Sequence, residues 1–333
     1  MPWLYRPEAR TWRCAPAPTE VRAFHRSLPG YAPTPLVELP SLARESGVGR
    51  LFVKDESARL GLPAFKVLGA SWAIHRALAN RPPGPVTLVT ATDGNHGRAV
   101  ARTARLLGHR AHVYVPRGVP SAAIDVITGE GATVTEVDGS YDDAVRRAAG
   151  TPGAVLVQDM AWPGYERVPG WIVEGYATLC AEIDGQLPAD PDLVVVPVGV
   201  GSLAQAVITH YRSRPAGRAP VLMSVEPTAA ACVLESLRRG ELVGVETGET
   251  VMAGLNCGTP SSIAWPYLRG GLDAAVAVAD ADSVRAAADL ARLGVSSGFC
   301  GAAALAGLRA ARGELGLGPD SVVVLLSTEG ASR

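Results

Sequence analysis

The sequence predicts an α/β fold built on mostly parallel sheets. Three features of its 333 residues carry that expectation. Short Val-rich runs recur along the chain, stretches with helical spacing separate them, and the runs are continuously apolar instead of alternating. Continuous runs are what parallel strands covered on both faces require, and repeated strand–helix alternation is the pattern of α/β architecture.

Taken in order, strands are expected at VTLVTA (86–91), AHVYV (111–115), ATVTEV (132–137), AVLVQ (154–158), LVVVPV (193–198), PVLMSVE (220–226), AAVAVA (274–279) and VVVLLS (322–327). Helices are expected at 68–80, 97–107, 121–129, 141–149, 201–212 and 282–293. Asp282 is placed as the N-cap of the last, because its carboxylate can accept from first-turn amides. The breakers RPPGP (81–85) and GQLPADPD (185–192) divide the chain into an opening segment, a middle block and a C-terminal block.

Composition narrows the function classes. Hydrophobic residues make up 47% and charged residues 19%, which suits a packed core and not a disordered chain. The 31 basic residues against 32 acidic ones leave a net charge of −1, which argues against a nucleic-acid-binding surface. The longest apolar stretch, Leu193 to Ile208, is broken by glycines, Ser202 and Gln205 and is shorter than a membrane span. The opening MPWLYRPEARTWR has no apolar h-region of a secretory signal. Five scattered cysteines with no C-x-x-C fit a reduced, cytoplasmic protein without a disulfide framework or a metal site. Each reads as a small core residue, with Cys300 kept open.

In such folds ligands bind at the C-terminal ends of strands, so the loops after strands carry the chemistry. Thr92-Asp93-Gly94-Asn95-His96-Gly97 is a polar, glycine-rich turn into a helix. It suits an anionic or oxygen-rich ligand, and it suits an ordinary turn capped by Asp93 or Asn95 equally well. Gly199-Val200-Gly201-Ser202-Leu203-Ala204 lets a backbone approach a phosphate at a helix N-terminus. The same segment fits a loose G-x-G-x-x-A dinucleotide pattern, with Glu226 near the place of a ribose-binding acid. A nicotinamide oxidoreductase therefore stays open at this point. Ser327 ends the last strand and offers a hydroxyl there or a simple strand cap.

The basic residues are 29 arginines and only two lysines, Lys54 and Lys66. Lys54 lies beside Asp55 and Glu56 and reads as an ion-paired lysine at a strand end. Lys66 lies in PAFKVLGA, where apolar flanks imply a desolvated, more nucleophilic amine or a snorkelling side chain. Imine formation is a role that arginine cannot fill, since guanidinium stays protonated.

Assembled, these pieces resemble the fold-type II pyridoxal-phosphate enzymes, and within them the diaminopropionate ammonia-lyases. The resemblance is carried by VRAFHRSLPGYAPTPL (21–36), FVKDESARLGLPAFKVLGAS (52–71), TATDGNHGRAVA (90–101), QDMAWPGYERVPGWIVEGYATL (158–179), VMAGLNCGTPSSIAWPYLRGG (251–271) and LSTEGAS (326–332). It implies two open, mostly parallel twisted-sheet domains with helices on both faces, like the tryptophan synthase β subunit. Residues 1–85 and 186–333 would form a large cofactor-binding domain, and 86–185 a small mobile one.

The resemblance also implies roles. Lys66 matches the lysine that forms an imine with pyridoxal 5'-phosphate. Asn95 matches the asparagine beside the pyridoxal 3′-oxygen. Gly199, Val200, Gly201, Ser202 and Leu203 match the turn around the phosphate, and Ser327 the hydroxyl facing the pyridine nitrogen. Thr92, Asp93 and Gly94 match the loop that takes the substrate carboxylate. Asp93 and Asp159 match acids of proton transfer. Phe299 departs from the pattern, lying where an acidic residue is expected near the substrate, with Cys300 next to it. The implied reaction is α,β-elimination on a small amino acid, 2,3-diaminopropionate giving pyruvate and ammonia. Its competitors are β-replacement, a Ser/Thr dehydratase-like lyase and a non-catalytic binding protein. A homodimer is expected by the same analogy.

Overall fold

The computed structural model describes residues 3–92, 94–214 and 219–331. In chain order its strands are β1 (Trp3–Tyr5), β2 (Leu36–Glu38), β3 (Arg50–Asp55), β4 (Thr87–Ala91), β5 (Arg110–Pro116), β6 (Thr133–Val137), β7 (Val155–Leu156), β8 (Leu193–Pro197), β9 (Val221–Pro227), β10 (Ala274–Val278) and β11 (Val322–Ser327). They form two separate sheets, each within its own compact unit of the chain.

The larger unit comprises Met1–Pro18, Ala32–Phe65 and Leu179–Arg333. Its sheet has the order β1-β10-β9-β8-β11-β3-β2. All neighbours are parallel except at the two edges, where β1 and β2 run antiparallel to β10 and β3. The Val-rich strands β8, β9, β10 and β11 are buried along their whole length, which is why their sequences are continuously apolar. Because β8 and β11 are parallel neighbours, the glycine turn after β8 and Ser327 at the end of β11 emerge at the same end of this sheet.

The smaller unit comprises Thr19–Tyr31 and Lys66–Thr178. Its sheet is all parallel, in the order β6-β5-β4-β7. The loops after β4 and β7 therefore share one end, and Gln158 ties them together. Its side-chain carbonyl accepts from the amide of Ala91 and the hydroxyl of Thr90, both at 2.9 Å. The helix Lys66–Leu78 groups with this unit and crosses the helix Arg167–Gly175 at backbone distance. A Cβ on Gly69 would lie 2.6 Å from the Tyr176 ring, and one on Gly175 would lie 2.5 Å from the Leu68 carbonyl, so only glycine fits either place.

One local expectation is corrected. The helix expected at 282–293 spans Asp280–Arg292, with Ala279 and not Asp282 at its N-cap. It starts earlier because Asp280 is held by Thr250 and the Val251 amide, at 2.5 and 3.0 Å. Asp282 sits within the first turn, where its charge still complements the helix dipole.

Candidate active site

In the smaller unit, Lys66 is the first residue of its helix and its Nζ donates to Asp159 Oδ2 at 2.8 Å. Asp159 comes from the loop after β7. The first turn of the Lys66 helix is fixed by His25, a fully buried side chain. Its Nε2 donates to the Leu68 carbonyl at 2.9 Å and its Nδ1 meets the Thr178 hydroxyl at 2.6 Å, which settles the tautomer.

Asp159 has a second neighbour, His96, whose Nδ1 lies 3.7 Å away. His96 Nε2 donates to the Val157 carbonyl at 2.8 Å, and no hydrogen-bond partner faces Nδ1 among the described residues. Burial opposes ionisation of Asp159, but His96 and the Lys66 ammonium outweigh it and hold the carboxyl well below the usual range. Burial pulls His96 below its ordinary value, with Lys66 acting in the same sense and Asp159 against it. The result is an ionised carboxylate flanked by the Lys66 ammonium and a buried imidazole, an arrangement able to pass a proton between them.

The polar turn after β4 is shaped by Thr92. Its hydroxyl oxygen accepts from the amides of Gly94 and Gly97 at 3.0 and 3.2 Å. A Cβ on Gly97 would lie 2.2 Å from the Thr92 methyl, so glycine is obligatory there. Asn95 then opens the helix Asn95–Leu106, with Gly94 at its N-cap. Asp93 lies outside the described residues. His96 stands inside the same turn, but the sequence gives no sign of its role, because its partner is more than sixty positions away along the chain.

In the larger unit, the turn Gly199–Leu203 leads from β8 into the helix Ser202–Arg212. Gly201 has φ +99°, a conformation that favours glycine, and a Cβ there would lie 2.7 Å from Leu268. A Cβ on Gly199 would lie 2.9 Å from the Cys257 sulfur. The helix has no acidic residue in its first turn and no side-chain cap, so its leading amides suit an anion. At the end of β11 the buried Ser327 hydroxyl donates to Ser297 Oγ at 2.8 Å. A Cβ on Gly301 would meet both of these hydroxyls, at 2.7 and 3.0 Å.

Phe299 opens the helix Phe299–Ala310 and is 41% exposed. A carboxylate does stand close to this helix start, since a Cβ on Gly298 would lie 2.9 Å from Glu329 Oε1. Cys300 is buried beside Glu329, and burial pushes its thiol far up, so it is an unreactive core residue at neutral pH.

Two sequence readings change here. Glu226, which the sequence puts near the place of a ribose-binding acid under the nicotinamide alternative, is fully buried and accepts from the amides of Val233 and Leu234 at 2.7 and 2.8 Å. That carboxyl has no freedom to meet a ribose. The desolvation expected at Lys66 from its flanks is greater at Lys54. Lys54 is completely buried and donates to the Thr34 carbonyl, Glu182 and Gln186 at 2.8, 2.7 and 2.9 Å. Burial lowers its pKa, against the pull of Glu182 and Glu56. The apolar neighbours Val67 and Leu68 are fully buried, while the Lys66 side chain is 31% exposed.

Residues 27–329 match the family model described as pyridoxal-phosphate dependent enzyme. The chain belongs to this family. Among its relatives, the diaminopropionate ammonia-lyase of Salmonella typhimurium is 41% identical over 75% of this chain and 69% of its own. That of Escherichia coli K12 is 37% identical over 93% of this chain and 87% of its own. The solved structure of the Escherichia coli ammonia-lyase in complex with D-serine superposes with a TM-score of 0.88 at 33% identity, covering 98% of this chain and 94% of that one. Its complex with an aminoacrylate-PLP azomethine reaction intermediate superposes at 0.87, with the same identity and coverage.

The expected α/β architecture of two mostly parallel sheets is thus that of a fold-type II pyridoxal-phosphate enzyme. Pyridoxal-phosphate dependent enzymes need a reachable primary amine and an anion site for the phosphate. The residues fit both needs: the Lys66 side chain is partly exposed, and the helix Ser202–Arg212 starts with neither an acidic first turn nor a side-chain cap on its leading amides. Among the described residues no helix is long and apolar enough to cross a membrane.

Proposed function

We propose that this enzyme eliminates ammonia from 2,3-diaminopropionate, and that water then completes its conversion to pyruvate and a second ammonia. The observation that carries the reading is the Lys66–Asp159–His96 arrangement, with its 2.8 Å ion pair. The likeness to diaminopropionate ammonia-lyases along nearly the whole chain supports the substrate.

Bound pyridoxal phosphate supplies an electron sink that makes the substrate Cα–H acidic. Lys66 would hold the cofactor covalently until substrate displaces it. Gly199, Val200, Gly201, Ser202 and Leu203 would hold its phosphate, Asn95 would meet its 3′-oxygen and Ser327 its pyridine nitrogen. Thr92, Asp93 and Gly94 take the substrate carboxylate. Freed Lys66 then takes the Cα proton and delivers a proton to the departing β-amine, which leaves only when protonated. Asp159, kept ionised by its neighbours, orients the amine and accepts protons. Asp93 and Asp159 on different loops would serve opposite faces of Cα, so that both enantiomers react. We place the enzyme in the cytoplasm as a homodimer, by analogy with related enzymes and from its scattered cysteines without a C-x-x-C.

The deciding experiment supplies each enantiomer of diaminopropionate to the cofactor-loaded enzyme and measures pyruvate and ammonia. Two ammonia per pyruvate is the expected result. Phe299, apolar where an acid is expected, favours a second reading in which a nucleophile replaces the β-group or a hydroxy amino acid is dehydrated. Condensation products formed only when thiols or amines are added, or pyruvate from serine but not from diaminopropionate, would establish that reading instead.

A further inference from the structure

We propose that Ser261 is a further ligand of the cofactor phosphate, reaching it from a segment outside the glycine turn. The proposal rests on the reading that Gly199–Leu203 holds that phosphate. Ser261 is buried, and its hydroxyl has no hydrogen-bond partner among the described residues. Its backbone, by contrast, is fully used. The amide donates to the Val200 carbonyl at 2.8 Å, and the carbonyl accepts from the amides of Ala264 and Trp265, both at 3.0 Å.

The first of these bonds ties Ser261 to the middle of the glycine turn. The residues that follow pack on the same turn, because a Cβ on Gly201 would lie 2.7 Å from Leu268 and 3.4 Å from Ala264. The hydroxyl is therefore held beside the start of the 11-residue helix Ser202–Arg212, which has neither an acidic first turn nor a side-chain cap. A hydroxyl taken out of water with nothing to bond is unfavourable, and native interiors rarely leave one so. A phosphate offers three acceptor oxygens, and a hydroxyl donor adds a charge-assisted bond to those from the helix amides. Unlike those amides, the Ser261 donor can rotate to meet the oxygen it serves.

The test compares wild type, Ser261→Ala and Ser261→Thr in their affinity for pyridoxal phosphate and for pyridoxal, by titrating apoenzyme and following cofactor absorbance. Phosphorus NMR of the loaded proteins and thermal denaturation with and without cofactor accompany it. We expect Ser261→Ala to bind pyridoxal phosphate about tenfold more weakly, as loss of one hydrogen bond to a charged group implies, with pyridoxal binding unchanged. Its phosphorus resonance should move, its apoenzyme should be at least as stable as wild type, and Ser261→Thr should restore affinity. Full retention of the wild-type preference for the phosphorylated form in Ser261→Ala overturns the proposal. So does an apoenzyme that unfolds, which makes the hydroxyl structural. A wild type with no preference for the phosphorylated form instead overturns the reading of the glycine turn.

Discussion

The two lysines of the chain occupy contrasting surroundings. Lys54 sits in a closed network in the larger unit, where all three of its N–H bonds are used. Arg59 completes the network with bonds to Glu56 and Glu182 at 2.6 to 2.9 Å, so two cations face two carboxylates away from water. Lys66 pairs with the Asp159 carboxylate, and its side chain is partly exposed. Desolvation alone does not distinguish a reactive lysine, since Lys54 has more of it. What differs is whether the nitrogen meets solvent: a buried, saturated ammonium holds a fold together, and a partly exposed one beside a carboxylate can exchange its proton.

The largest expected effect separates the two directly. Replacing Lys66 by Ala should reduce turnover by about 10⁴-fold or more, the scale on which loss of a covalent catalyst is felt. Borohydride should fix the cofactor to wild type at Lys66, and peptide mapping reads the place. Cofactor fixed to Lys54 would break the comparison.

Asp159→Asn comes next. It keeps the shape but removes the charge beside Lys66, and should lower kcat by about 10²- to 10⁴-fold, as loss of a proton-handling group does. The acid limb of the kcat profile should change with it. An unchanged profile would mean that the carboxylate only braces the lysine.

The third prediction bears on Lys54. Glu182→Gln leaves Lys54 and Arg59 short of one buried negative charge and should cost about 3–5 kcal/mol, measured by denaturant unfolding. Cofactor absorbance in the protein that remains folded should be unaltered. The same network gives an acid signature. Burial favours the neutral form of Glu182, but Arg59 and Lys54 overcome it and hold the carboxyl at about 2, below its ordinary 4.5. The folded chain therefore binds this proton less readily than the unfolded chain. Its contribution is complete above pH 4.5 and lost as pH falls from there toward about 2. Glu182→Gln should flatten the stability profile across that window.

How far such features can be read in advance depends on the range of the interactions. The runs at 193–198 and 322–327 announced β8 and β11, since burial on both faces writes itself into consecutive residues. β1 and β2, three residues each and only half buried, carry no such pattern. The glycine turn and the Thr92 turn were legible because their conformations select local residue types. The Lys54–Glu182 bond joins residues 128 positions apart, and Asp159 meets His96 only because β7 lies beside β4. Neither pairing leaves a local trace. A hydroxyl such as that of Ser261 is equally silent, being one serine among many until its surroundings are known.

The short antiparallel strands at either margin of the larger sheet have a bearing on solubility. Fully apolar parallel strands such as β10 would, if left open, offer a row of unpaired backbone groups to any neighbouring molecule and invite stacking into aggregates. β1 occupies that row on β10 through Trp3, Leu4 and Tyr5, and β2 does the same for β3. Each is too short to template a further strand well. A few residues thus confine the most cohesive part of the molecule to its own chain, which matters most for a protein whose interior is so rich in valine.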